Sequence, residues 1–209
     1  MKCRKILLLN YLVTKLNHYL ANILTGINQS IELLQTDNEL IRDQSFHLLK
    51  NTTNRMTNTL RIFNHMYSDC NNDFEYCLKD IYDLLADFLG FNKIEIEFSD
   101  NNKKVVSGNL GKLIICLVYM LSSMLIKKSR IVCELDASDN IIILSNTKAG
   151  LNKNYYENII QIFSTDAEIK LNYYNVHAYY TKYLARLLKS KIFVNLQYDN
   201  LKIITTKYD

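Results

Sequence analysis

The chain has no proline, and its only glycines are Gly26, Gly90, Gly108, Gly111 and Gly150. Glycines so scattered cannot build a phosphate-cradling loop, which needs them clustered for close backbone approach. That counts against a conventional nucleotide-hydrolysing enzyme. Cysteine is sparse and unpatterned. Cys3, Cys70, Cys77, Cys116 and Cys133 are odd in number, and no CxxC or Cys/His pair has zinc-ligand spacing. Cys116 and Cys133 lie in apolar runs, so reduced, buried thiols of a cytoplasmic protein are the expectation. Long hydrophobic runs are missing too: Leu113–Ile126 spans fourteen residues and includes two serines, short of the roughly 20 needed to cross a bilayer. After Lys2, Arg4 and Lys5, the apolar run Ile6–Leu9 is broken by Asn10, too early for a secretory leader. A soluble protein with no membrane association is expected.

What is present suits one or two small domains with a real core: 209 residues, 48% of them hydrophobic. The net charge of +4 is unevenly placed, with eight Lys/Arg against four Asp/Glu in residues 1–68 and seventeen of each in residues 69–209. A mildly basic helical surface suits an acidic partner or nucleic acid, and equally suits plain solvation. No nucleic-acid recognition motif accompanies the charge, so no nucleic-acid partner is expected. The tyrosine-rich run Tyr173–Tyr183 lacks the interleaved arginines of a base-stacking platform, which leaves core and subdomain packing.

Residues from about 6 to 35 carry Leu9, Val13, Leu16, Leu20, Ile23, Ile27 and Leu34 on the alternating four- and three-residue spacing of a bundle helix. With Val13 and Leu20 at the a positions, His18 falls at f, facing solvent. Thr36-Asp37-Asn38 is a polar break in which Asp37 or Asn38 can cap a second helix, about 39–68, with Leu49, Met56, Leu60, Phe63 and Tyr67 on one stripe. The short connection makes the two helices antiparallel neighbours. Leu12, Tyr19, Leu24 and Ile31 widen the first stripe beyond a two-helix seam, which predicts a homodimer whose two hairpins form a four-helix bundle. Beyond the polar linker Ser68–Asp73 the pattern changes. A helix from Leu78 is ended by Gly90, and Ile94–Phe98 alternates as a strand with which Val105-Val106 pairs back. A strongly apolar helix runs from Asn109 to about Lys128. Ile131–Leu135 and Ile141–Leu144 form a hairpin, a helix covers Tyr155–Phe163, and Ser164–Tyr174 is ambiguous. The chain closes with a helix over Val176–Leu188 and a hairpin of Ile192–Tyr198 with Leu201–Thr206, turning at Asp199-Asn200. The expected fold is α+β: a helical hairpin domain over residues 1–70 and an α/β sandwich over residues 71–209.

A dimerising hairpin with an exposed histidine, followed by this order of elements, resembles a sensor histidine kinase core, and the C-terminal part resembles its Bergerat-type ATPase fold. His18-Tyr19-Leu20-Ala21-Asn22-Ile23 matches the phosphoacceptor motif of that family at His18, Leu20 and Asn22. Tyr19 stands where an acidic residue is usual and Ile23 where proline is usual. In the helix that resembles the metal-binding box, Tyr119-Met120-Leu121-Ser122-Ser123 puts Ser123 at the asparagine position. Ser145-Asn146-Thr147-Lys148-Ala149-Gly150 lacks the aspartate and glycines of the nucleotide loop, and the glycine-rich lid is missing. An ATPase fold without an ATP site is similar to the ChpT-like histidine phosphotransferases. Gly26-Ile27-Asn28-Gln29-Ser30-Ile31-Glu32-Leu33-Leu34 and the stretch from Ala178-Tyr179-Tyr180 to Leu184-Ala185-Arg186-Leu187-Leu188 carry that likeness.

The resemblance implies a phosphohistidine relay through His18, between the receiver domain of a hybrid histidine kinase and those of response regulators, with no autokinase activity. It implies no cofactor of the chain's own, the receiver supplying Mg²⁺. Lys15 and Asn22 lie one turn before and after His18, which predicts that Lys15 offsets phosphoryl charge and that Asn22 holds the ring. Tyr19 and Thr25 are expected to complete the receiver-binding face. The alternative is an inactive scaffold or inhibitor of the same fold that binds a response regulator without transfer. His47, His65 and His177 are expected to be structural.

Overall fold

Helical periodicity, with no proline and with Gly26 the one glycine, lets the first sixty-odd residues form two long rods. The structure, a computed structural model, describes residues 2–68, 74–99, 104–126, 128–148, 150–165 and 170–208, and for residues 2–5 the backbone alone. Helix α1 (Lys2–Leu34) and helix α2 (Glu39–Tyr67) pack antiparallel. Asn38 is the cap foreseen for α2, its Oδ1 accepting from the Ile41 amide at 3.2 Å, which satisfies one of the orphan donors of the first turn. The expected connection Ser68–Asp73 lies largely outside the described residues, as do Cys70, Ala149, part of Ser164–Tyr174 and the Cys3 side chain.

The C-terminal part begins with strand β1 (Glu75–Cys77) and helix α3 (Leu78–Gly90), followed by β2 (Glu95–Phe98) and β3 (Val105–Ser107). Helix α4 (Gly108–Met124) leads into the hairpin β4 (Arg130–Leu135) and β5 (Ile141–Asn146). Helices α5 (Lys153–Ser164) and α6 (Val176–Leu187) and the hairpin β6 (Ser190–Gln197) with β7 (Asn200–Lys207) complete it. The five-stranded sheet runs β2-β4-β5-β7-β6, with only the β2–β4 pair parallel. Ile96, Ile131, Cys133, Ile143 and Ile203 alternate onto one face and are buried against the helices. Helix α4 is buried at every position from Leu110 to Leu121, its one charged side chain there, Lys112, donating to the Ser68 carbonyl. Only the middle element of a layered core can be so.

Three expectations are corrected. Val105-Val106 does not pair with Ile94–Phe98: β3 is antiparallel to β1, Val106 opposite Tyr76, in a separate two-stranded sheet. Three-residue strands carry too little alternation to be seen in sequence. Helix α4 stops at Met124, because Leu125 becomes extended and bridges to Leu151. Helix α3 ends at Gly90 as expected, and the positive φ that follows falls on Lys93 (54°). The last hairpin turns one residue early, at Tyr198-Asp199, with Gln197 opposite Asn200. Both turn residues have positive φ, 47° and 62°, the backbone that a two-residue I′ turn demands.

The hairpin and the α/β part share one core. Ile62, Phe63 and Met66 of α2 are buried in the cluster formed by α3, α4 and the sheet. On α1 the covered face is rotated from the expected seam: Leu12, Lys15 and Ile23 are buried, while Leu9 and Val13 are 59% and 46% exposed. Contacts of α1 with α6 and with the turn before it account for the rotation.

Candidate functional site

His18 stands on α1 with an exposed side chain. One turn on, Asn22 Nδ2 lies 3.4 Å from His18 Nε2, so the amide holds the ring as the i, i+4 spacing foresaw. With the amide nitrogen donating, Nε2 carries the lone pair and the ring proton sits on Nδ1. A second contact comes from far along the chain. The ring of Tyr173 meets that of His18 edge to face, centroids 5.9 Å apart at 83°.

Lys15 is corrected in place. It does not share the exposed face of His18; its side chain is 1% exposed, with Nζ donating to the Tyr173 carbonyl at 3.3 Å. The ammonium also lies 5.0 Å from the Tyr173 ring centroid and 5.2 Å from that of Tyr155, a cation–π arrangement. Burial lowers its pKa to about 7, since a desolvated ammonium is disfavoured. A three-residue step turns a side chain about 60° around a helix, and that is enough to carry Lys15 from the face of His18 to the rim of the seam.

Tyr19 is half-buried, its ring 6.3 Å from that of Phe63. The position after the histidine therefore points into the seam, which an aromatic ring fills well and a carboxylate would not. Thr25 is exposed, its hydroxyl donating to the Ala21 carbonyl at 3.0 Å. The other histidines sit in different surroundings. His177 is buried between Phe63, Tyr67 and Tyr119, with its Nδ1 paired to the Tyr67 hydroxyl, and burial holds its pKa well below the usual imidazole value. His65 Nδ1 pairs with the Tyr76 hydroxyl at 2.9 Å. His47 is exposed beside Phe46.

The residues that sequence reasoning missed are Tyr173 and the turn that presents it. Asn172 Oδ1 accepts from the amides of Tyr174 and Asn175, at 2.8 and 3.0 Å. Asn175 Oδ1 accepts from the Asn172 amide at 2.9 Å, and Asn175 Nδ2 donates to the Lys170 carbonyl at 3.0 Å. Two asparagines three apart are an Asx-turn signal, legible in the sequence but silent about what the turn touches.

Between α4, α5 and α6 a cavity of about 10 Å³ is lined by Lys15, Ser123, Tyr155, Tyr174 and His177 among others. Ser122 and Ser123 both turn back to the Tyr119 carbonyl, at 2.8 and 3.1 Å. After β5, Asn146 Oδ1 accepts from the Lys148 amide at 2.8 Å, while the Thr147 amide and hydroxyl donate to the Asp199 carbonyl at 2.6 and 2.9 Å. Among the described residues no group of three or more His, Cys, Asp or Glu is placed to hold a metal ion, and no helix is long and apolar enough to cross a membrane.

A helical hairpin with a presented histidine, packed against the helices that cover a five-stranded mixed sheet, defines the class as α+β. Residues 78–200 match the family model of the histidine phosphotransferase C-terminal domain, and the chain belongs to that family. The likeness to ChpT-like phosphotransferases is thereby borne out, and the chain's role is in phosphoryl transfer. A solved structure described as a bacterial phosphotransferase shares the fold, with a TM-score of 0.82 at 16% identity over 96% of both chains. The Acinetobacter baumannii histidine kinase AdeS is a looser match, with a TM-score of 0.45 at 11% identity over 94% of both chains. No curated protein sequence matches.

Proposed function

We propose that the chain relays a phosphoryl group between receiver domains of two-component signalling proteins through His18, using no ATP of its own. One observation carries the choice of residue. Among the described residues, His18 is the histidine whose exposed ring is held both by an amide on its own helix and by an aromatic ring from the α/β part. The family match covers residues 78–200, so the case for His18 rests on this geometry and on the motif around it.

In the proposed step, the Nε2 lone pair attacks the phosphorus of an aspartyl phosphate on a docked receiver. A P–N bond forms, the P–O bond to the aspartate breaks, and the carboxylate leaves with the electron pair. The ring keeps its Nδ1 proton until solvent takes it up. Asn22 Nδ2, released from the lone pair, is then placed to donate to a phosphoryl oxygen. Transfer to a second receiver runs the same step backwards. Such a reaction needs chiefly in-line positioning and charge neutralisation, and the receiver supplies the latter through its own Mg²⁺. The small cavity beside Ser123, about 10 Å³, supports a chain that receives phosphate rather than taking it from nucleotide. Apolar side chains left exposed along the hairpin, including Leu9, Val13, Leu24, Ile31, Phe46 and Leu48, support a homodimer that buries them.

Incubation with a phosphorylated receiver domain tests this: the chain acquires one acid-labile phosphate, and His18→Ala acquires none. Receiver binding without any labelling would favour the second reading, a scaffold that holds a response regulator, for which Tyr19 in place of an acidic residue is the supporting feature.

A further inference from the structure

Among the described residues, the α/β part meets the His18 ring through Tyr173. We propose that Tyr173 is a positioning residue for the transfer reaction, a side chain from the α5–α6 connection that fixes the orientation of the His18 ring. This rests on the reading of His18 as the phosphoacceptor.

Three sets of contacts converge on it. The first is the edge-to-face contact with His18, at 5.9 Å and 83°, a geometry that the opposed charge of ring edge and ring face favours. The second is Lys15, one turn before His18 on the same helix. Its buried Nζ donates to the Tyr173 carbonyl and lies over the Tyr173 ring, so one side chain of α1 pins both the main chain and the ring of the residue that meets His18. The third is the turn itself. The reciprocal Asn172–Asn175 hydrogen bonds close it, and Asn172 Nδ2 ties it to Asn158 of α5 at 3.3 Å. Leu171 and Asn175 are buried, 5% and 1% exposed. Tyr174 buttresses the far side, edge to face with Tyr173 at 5.6 Å and with Tyr155 at 5.5 Å.

An exposed histidine on a helix ordinarily turns freely about two side-chain bonds, and a nucleophile that must align with a P–O bond loses rate for every orientation that does not. Asn22 restrains one ring nitrogen along the helix. Tyr173 restrains the ring plane from the side. Together they define one orientation of Nε2 before any receiver arrives. The connection between α5 and α6 thus acts as the brace of the phosphoacceptor.

The test compares wild type, Tyr173→Phe, Tyr173→Leu and Tyr173→Ala in two measurements. In single-turnover labelling by a phosphorylated receiver, Tyr173→Ala and Tyr173→Leu should lower the maximal rate about tenfold while the half-saturating receiver concentration stays within twofold. Tyr173→Phe should restore the wild-type rate, because the ring and not the hydroxyl makes the contact. In NMR spectra of the unphosphorylated protein, the ring protons of His18 should carry an aromatic ring-current shift in wild type and Tyr173→Phe and lose it in the other two, with the His65 and His177 resonances unmoved. Unchanged rates and unchanged His18 resonances in Tyr173→Leu would overturn the proposal, as would a rise in half-saturating concentration alone, which would make Tyr173 a docking residue. If His18→Ala is still labelled, the reading of His18 fails, while the NMR arm still decides whether Tyr173 orients the ring.

Discussion

At the scale of single residues, Lys15 has the clearest consequence for stability. Its pKa in the folded protein is about 7, lowered by burial from 10.5. Below pH 7 it is charged in both folded and unfolded chains, and the cost of burying the charge is fully present. Between pH 7 and about 9 the folded chain has released a proton that the unfolded chain keeps, so stability rises with pH, by about 1 kcal/mol per pH unit from this group. Above that the buried Cys133 thiol, pushed up to about 12, and the buried tyrosines act in the opposite sense. Urea unfolding at pH 6.5, 7.5 and 8.5 should show the rise in wild type and its loss in Lys15→Met. The sequence placed Lys15 correctly on the helix and wrongly in the protein. Helical spacing says which residues neighbour one another, but not that a turn 158 residues away supplies a carbonyl for the lysine to reach. The partnership of His18 and Asn22, by contrast, is local and was legible, since it needs only one turn of helix.

At the scale of elements, the long ones were legible and the short ones were not. The helices α1, α2 and α4 and the hairpin β4–β5 follow from periodicity, because each repeats its signal several times. Strands β1 and β3, three residues each, do not repeat it. The small sheet they form matters for packing all the same, since Tyr76 of β1 lies against Gly111 of α4. A Cβ at Gly111 would stand 2.4 Å from Tyr76 Cδ2, so Gly111→Ala should displace that ring and lower stability by about 1–3 kcal/mol in thermal or urea unfolding. The β6–β7 turn offers the opposite case. Tyr198 and Asp199 both adopt left-handed backbone, and Tyr198 is 96% exposed. The double substitution Tyr198→Asn with Asp199→Gly should stabilise the chain by roughly 1 kcal/mol and raise the Tm by a few degrees.

At the scale of the whole molecule, the hairpin is held by two surfaces. One half of α2 joins the core of the α/β part through Ile62, Phe63 and Met66, and the other half leaves Phe46 and Leu48 exposed at 59% and 49%. The proposed homodimer covers that second half. Light scattering should give a mass twice the 24.5 kDa of the chain, and Phe46→Asp should shift it to the single-chain value without loss of helix by circular dichroism. The fold class was legible because the order of elements is long and specific. The contact that joins phosphoacceptor and α/β part was not, because it lies in a turn whose sequence announces its shape and not its neighbour. The central claim is a relay through His18, and a two-receiver assay tests it most directly. A labelled donor receiver is mixed with an unlabelled acceptor receiver and catalytic amounts of the chain. Wild type should move label to the acceptor through a transient phosphoprotein of the chain's own mass, and His18→Ala should move none. Transfer at an equal rate in His18→Ala, or none with wild type, would contradict the account.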